Sequence, residues 1–488
     1  MACSYPIDVF SWIQNLPFSI QSSICICSSS SSRPSLNLSV TKNSHSLTIS
    51  FSIVANFNLP ISLWTSKPIK PASKPSKLVD QETFSTLLIN IIEDVLSYSS
   101  NKCKYTSIKV PKLDSFPNFK DIFNLAFLTL SFLICIYEAP ADLRSDCLVN
   151  LKTQLIDCKS RKASKLLVKI IGSNLEEQWM RSINLAITNW IAECENLKTP
   201  SQLFSYSYST FGLWKVQLYC PVIAMDIESS SNDPLDDERL FFSLKHHQLE
   251  GVIQFNYQVI IQEKWVDVIV AIDNLRCDVI RLVNEKLMKQ RGAGKDEKHF
   301  PSKISLHLTP INQLNIISVS VSKSSDNPTR EIELGKSIET SFDPPNPFPG
   351  LKFGVGESVS TSIKPWKFEE SIYGYTTIFN WFLHDSMNGR EVSSSKPSFM
   401  ALIKPKSWFK NRYSSAYRPF NKQGGVIFAG DEYGDSISWK VDKSAVGKTM
   451  EWDIKGWIWV TYWPNKYRTF YSETRRLEFR EVLQLTID

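Results

Sequence analysis

From Asp80 onward, apolar positions along this chain change period once. From Asp80 to about Pro200 they recur every three to four residues, and from Leu203 onward they alternate. The first spacing is that of a helix face and the second that of a half-buried strand. The stripe Leu87, Leu88, Ile91, Ile92, Val95 and Leu96 behind Asp80 predicts a capped helix. Phe119 to Glu138 is the most apolar stretch. Its unbroken run falls short of the roughly 20 residues a bilayer requires, and Asn124, Thr129 and Ser131 dilute it, so it predicts a central core helix. Pro140 opens a further helix to about Cys158, since its missing N–H is harmless in a first turn. A short one follows over Leu166 to Ile171, and Leu175, Trp179, Ile183, Ala186, Ile187 and Trp190 trace one face of the last.

Strands are predicted at Phe211 to Met225, Val252 to Ile261, Trp265 to Ile272, Ile304 to Leu308, Ile316 to Val321, Gly354 to Ile363, Thr376 to Leu383, Phe399 to Ile403, Gly425 to Ala429, Ile437 to Val441 and Met450 to Trp459. Asn274 to Gln290 fits either a helix or a strand. Many short, turn-separated strands mean antiparallel sheets rather than βαβ units. Near the start, Leu36 to Val40 and Leu47 to Ile53 predict a hairpin about Lys42-Asn-Ser44, and the prolines of Lys67 to Pro75 predict an extended linker. The expected fold is α+β, a helical domain followed by a large antiparallel, sandwich-like β portion. The expected divisions are 1–66, a linker at 67–79, helices at 80–200, a first β region at 201–291 and a Trp-rich sandwich at 300–488.

The strongest strand signal is Gly456-Trp-Ile-Trp-Val-Thr-Tyr-Trp-Pro464. Trp457, Trp459, Thr461 and Trp463 fall on one face, and Ile458, Val460 and Tyr462 on the other. Thr469 to Ile487 is its hairpin partner. The Trp face is expected to be the sandwich core, so Trp459→Ala would cost about 3 to 5 kcal/mol.

Composition sharpens this picture only locally. Of a formal charge of +6, the first 79 residues supply most: six basic side chains against the single acid Asp8. The rest of the chain is near neutral, which argues against a generally nucleic-acid-binding body. The Ser-rich, acid-poor start suits a chloroplast transit peptide, but Arg is scarce and the predicted hairpin favours a retained, folded N-terminus. The ten Cys show no ligand spacing beyond Cys25-Ile-Cys27 and are expected as reduced thiols of an intracellular protein, cytoplasmic or nuclear.

Candidate chemistry is sparse. Arg291-Gly-Ala-Gly-Lys295 lacks the Gly and Ser/Thr of a phosphate loop. His246-His247 with Glu250 supplies too few convergent ligands for a metal, and His384-Asp-Ser386 places triad residue types side by side instead of bringing them from separate elements. Asp431, Glu432 and Asp435 could form a carboxylate pair or merely a hairpin loop. No catalytic residue, metal or cofactor is assigned. One constellation invites a test: Lys396 to Lys422, which has no acid anywhere from Val392 to Gly430. Lys404, Lys406, Trp408, Lys410, Arg412, Tyr413 and Arg418 interleave cations and rings, as anionic-ligand surfaces do.

Asn174-Leu-Glu-Glu-Gln-Trp-Met-Arg-Ser-Ile-Asn-Leu185, Trp408 to Tyr417 and Gly456 to Trp463 together resemble an uncharacterised plant-specific protein family. The resemblance implies a plant source and a retained N-terminus, and brings no activity or site residue. The expected function is therefore a non-enzymatic intracellular binding or scaffold protein, with a protein partner or anionic lipid as its possible partners and no transmembrane helix. Peripheral binding to anionic lipid or RNA through 396–422 is the alternative, and a glycan-active enzyme the second.

Overall fold

The computed structural model describes residues 8–16, 22–28, 34–43, 48–56, 59–71, 79–99, 119–156, 163, 166–167, 170–193, 205–227, 238–290, 298–322, 330–335, 358–363, 366–383, 426–429, 436–463 and 474–487. The fold is α+β, with helices preceding most of the antiparallel strands. Chain contacts divide it into two compact units. Unit 1 comprises Met1–Thr210, Lys215–Val252 and Val279–Lys295; unit 2 comprises Phe211–Trp214, Ile253–Asp278 and Asp296–Asp488.

Unit 1 opens with α1 (Val9–Gln14) and an antiparallel sheet of β1 (Ser23–Ser28), β2 (Ser35–Asn43), β3 (Thr48–Asn56) and β4 (Pro60–Thr65) in sequential order. The predicted hairpin is the β2–β3 pair, with Val40 opposite Phe51. The helices are α2 (Gln81–Ser97), α3 (Phe119–Glu138), α4 (Ala141–Ile156), α5 (Ser173–Glu193), α6 (Glu238–Lys245) and α7 (Glu285–Gln290). Asp80 caps α2 as expected, its carboxylate accepting from Thr83 N at 2.9 Å. α3 is long and apolar enough to cross a bilayer, yet Ile122 through Ile136 are almost all buried inside unit 1. α2, α4 and α5 pack on it. Thr129 and Ser131, which dilute the run, donate their hydroxyls to the carbonyls of Leu125 and Phe127 and so leave no polar group unmatched.

The β-rich part contains β5 (Ser205–Thr210), β6 (Leu213–Pro221), β7 (Asp226–Ile227), β8 (His247–Ile261), β9 (Trp265–Arg281), β10 (Lys298–Pro310), β11 (Ile316–Ser322), β12 (Arg330–Gly335), β13 (Ser358–Ile363), β14 (Trp366–Tyr373), β15 (Thr376–Leu383), β16 (Val426–Ala429), β17 (Ser436–Asp442), β18 (Thr449–Trp463) and β19 (Thr474–Thr486). The ambiguous stretch after Asn274 resolves as both: β9 continues to Arg281, and α7 follows.

In unit 2 one sheet runs β14–β15–β10–β18–β19, and β11–β17–β9 form another with β16 beside β9. Their inner faces meet through rings. Trp452 of β18 lies 6.0 Å from Trp439 of β17 and 5.3 Å from Trp214, centroid to centroid. Trp439 and Trp214 place their indole N–H groups on the carbonyls of Tyr375 and Gln484 at 3.2 and 3.0 Å, which removes the cost of burying them.

β18 corrects the expected core. Ile454, Ile458, Val460 and Tyr462 point inward and are fully covered, while Trp457 and Trp459 stand half-buried on the opposite face. The partners decide which face turns in. Ile458 is opposite Ile304 and Leu477, whereas Trp459 is opposite Lys303 and Arg476. Gly456 also faces inward, where Phe479 fills the space its missing side chain leaves; a Cβ there would sit 2.0 Å from that ring.

Candidate functional site

The outer face of β14–β15–β10–β18–β19 carries a constellation that no single stretch of sequence displays. Register places Lys367 beside Phe382, Phe382 beside Lys303, Lys303 beside Trp459, and Trp459 beside Arg476. One residue from each of five neighbouring strands thus forms a row across the sheet, cation and ring in alternation. The Lys303 ammonium lies over both flanking rings, 5.0 Å from the centroid of Phe382 and 4.4 Å from that of Trp459. An aromatic face is electronegative and its edge electropositive. Rings that turn their faces to Lys303 therefore hold the cation in place and direct their positive edges elsewhere.

Arg476 ends the row. Its Nε is buried and has no hydrogen-bond partner, an uncompensated donor on a cation. Lys367, at the other end, pairs with Glu369 on its own strand. Among the described residues no carboxylate pairs with Lys303. A bulge between Pro301 and Lys303 breaks the β10–β18 register at Ser302, a device that re-aims side chains. Thr461 donates to Ser302 Oγ at 2.8 Å, and Ser302 Oγ donates to the Trp459 carbonyl at 3.2 Å. These hydroxyls close the bulge.

Two residues along the strands the sign reverses. Glu369, Asn380, Ser305, Trp457 and Glu478 form the next row. Beyond it His307, Lys455 and Arg480 restore positive charge, with Arg480 and Lys455 drawn to Asp453 at 2.7 and 3.8 Å. The His307 ring packs edge-on against Trp457 at 4.6 Å. Burial, and then the Lys455 ammonium, hold its imidazole below the usual histidine range.

A second constellation, in unit 1, is buried. Arg181 of α5 grips Glu250 of β8 through Nε at 2.9 Å and a second nitrogen at 3.2 Å, and also meets Glu177. Gln248 donates to Glu250, and Asn184 donates to Gln248. Nearby, the Tyr219 hydroxyl donates to Glu176 at 3.1 Å. Burial pushes Glu176 up to about 7, with the Tyr219 hydrogen bond opposing. Burial likewise raises Glu250 against the pull of Arg181. His246, His247 and Glu250 each face other partners. Glu250 is committed to Arg181, His246 packs on Phe242, and His247 Nδ1 faces Ser243. Burial holds both imidazoles near 4. Among the described residues no three His, Cys, Asp or Glu are arranged to hold a metal ion.

Unit 1 also gathers thiols that the sequence scatters. Cys147 of α4 is the hydrogen-bond partner of both Cys27 of β1 and Cys135 of α3; these contacts and burial push the latter two thiols up. Such thiols are poor nucleophiles.

The stretch predicted to bind anions, Lys404, Lys406, Trp408, Lys410, Arg412, Tyr413 and Arg418, lies outside the described residues, as do Arg291-Gly-Ala-Gly-Lys295, His384-Asp-Ser386 and Asp431, Glu432 and Asp435. Sequence reasoning missed Lys303, Lys367, Phe382 and Arg476. A signal was present: Lys303, Ser305 and His307 alternate with Ile304, Leu306 and Leu308, and Arg476 and Glu478 alternate with Leu477 and Phe479, which marks an outward parity on two strands.

No family model and no curated protein matches the chain. Solved structures give loose likenesses. Clostridium perfringens delta-toxin is similar at 10% identity and a TM-score of 0.24, over 58% of this chain and 100% of its own. The Clostridium perfringens NetB toxin in its membrane-inserted form is similar at 10% identity and a TM-score of 0.19, over 58% and 92%. A pore-forming protein is similar at 9% identity and a TM-score of 0.21, over 57% and 94%.

Proposed function

We propose that this chain is a non-enzymatic binding protein that engages an anionic partner through the outer face of β14–β15–β10–β18–β19. The supporting observation is the row Lys367–Phe382–Lys303–Trp459–Arg476, in which cations and rings alternate across five strands and Lys303 is clasped between two rings. A cation whose surroundings exclude water attracts an anion more strongly than a fully hydrated one, because the effective dielectric is lower. The rings also fix the Lys303 side chain, so less rotamer entropy is lost on binding. Residues 396–422, expected from the sequence to bind anions, contribute no member of this row.

The test compares retention of the full chain on immobilised heparin with that of Lys303→Glu/Arg476→Glu. Elution at markedly lower salt is expected for the double variant. Identical elution from a folded variant overturns the reading.

A further inference from the structure

We infer that the row Lys367–Phe382–Lys303–Trp459–Arg476 is a track for an extended acidic polysaccharide, laid across the five strands with an anionic group on each sugar. This deepens the binding reading above and rests on it. The cations stand on alternate strands, β14, β10 and β19, so neighbouring cations are about 9.5 Å apart, twice the interstrand spacing. One pyranose residue is close to one interstrand spacing in length. In a chain with a near two-fold twist, every second carboxylate faces the same way. Carboxylates on one side of such a chain meet Lys303 and Arg476 and compete with Glu369 for Lys367, and the intervening sugars turn hydroxyl oxygens toward the ring edges of Phe382 and Trp459.

The shape of the charge favours a line over a plane. Glu369, ion-paired with Lys367, and Glu478 flank the row on one side, with Glu478 about 6.7 Å from Arg476 along the strand. That is inside the screening length of about 8 Å at physiological salt, so a flat array of lipid headgroups meets repulsion on one flank. A single chain along the row avoids it. Nucleic acid fits less well for a different reason. Non-specific single-strand binding draws on base stacking against open ring faces. Here Phe382 and Trp459 turn ring faces to Lys303, and Trp457 is packed by His307.

The test uses the full chain with three probes at equal ionic strength: oligogalacturonate long enough to span the five strands, oligouridylate, and phosphatidylcholine vesicles containing phosphatidylserine. Fully methyl-esterified oligogalacturonate is the neutral control. The expected result is binding of the acidic oligosaccharide and not of its ester. Affinity should fall by about tenfold or more for each of Lys303→Ala and Arg476→Ala, and Lys303→Arg should retain it. The arginine variant guards against loss of folding, since it keeps charge and ring contact. Equal binding of acid and ester overturns the polysaccharide. Binding of oligouridylate or vesicles that depends on Lys303, without binding of oligogalacturonate, overturns it too and leaves the anion-binding reading standing. No binding of any probe by the folded wild-type chain overturns both.

Discussion

The two faces of β18 use the same residue type for opposite purposes. On the inner face Trp452 is fully buried between Trp214 and Trp439, and its contacts join the sheets of unit 2. On the outer face Trp459 is half-exposed and its ring holds an ammonium group. A tryptophan that other rings surround stabilises the fold, whereas one that a cation surrounds shapes a surface potential. The difference lies in the strands alongside and not in β18 itself.

That contrast is sharpest in stability. Trp452→Ala should cost about 3 to 5 kcal/mol, the range for emptying a large aromatic from a packed core. Urea unfolding of the variant would reveal it as a fall in midpoint. Trp459→Ala should cost only about 1 to 2 kcal/mol, half a side chain of burial with the cation–ring attraction to Lys303. Equal losses in the two variants would erase the distinction between the faces.

Gly456 offers a second way to break it. The inner face at this point is closed by the Phe479 ring, which sits where a Cβ would go. Gly456→Ala should therefore destabilise by about 1 to 3 kcal/mol through overpacking, and Phe479→Leu in the same chain should return part of that loss. Strictly additive costs in the double variant would show that the two sites are not in contact.

The surface face should answer to salt where the core does not. If the row binds a linear polyanion, the logarithm of the binding constant falls linearly with the logarithm of salt concentration. Removing Lys303 should then lower that slope by about one counterion. A slope unchanged in Lys303→Ala would place the contact elsewhere.

A separate effect concerns pH in unit 1. Glu176 has a folded value of about 7 against an ordinary 4.5. The folded state thus holds the proton more tightly than the unfolded chain. The stability gained is complete below about 4.5 and declines as pH rises through 7. Glu250 is also raised and acts in the same direction. Glu176→Gln should flatten thermal stability between pH 5 and 7 relative to wild type, while leaving anion binding by unit 2 untouched. A slope as steep as that of wild type would assign the titration to other groups.

Much of the architecture was legible along the chain. The Asp80 cap, the buried α3 and the β18–β19 hairpin each follow from local pattern. The orientation of β18 was not, because both of its parities carry large apolar side chains. Trp457 and Trp459 alternate with Ile458 and Val460, so period two identifies a strand without choosing its inner face. The choice rests on β10, far back in sequence, where Ile304, Leu306 and Leu308 occupy one parity and Lys303 and His307 the other. The candidate site was hidden for the same reason. Each strand contributes one member of the row, and a search for clustered cations instead finds Lys396 to Lys422.

Lys303 and Arg476 stand on the outer face of the sheet, opposite the core. The most direct measurement is the affinity of oligogalacturonate for Lys303→Glu/Arg476→Glu, read beside the melting temperature of the same protein. The double variant is expected to melt within a few degrees of wild type and to have lost the ligand. A variant that retains wild-type affinity while folded would contradict this expectation.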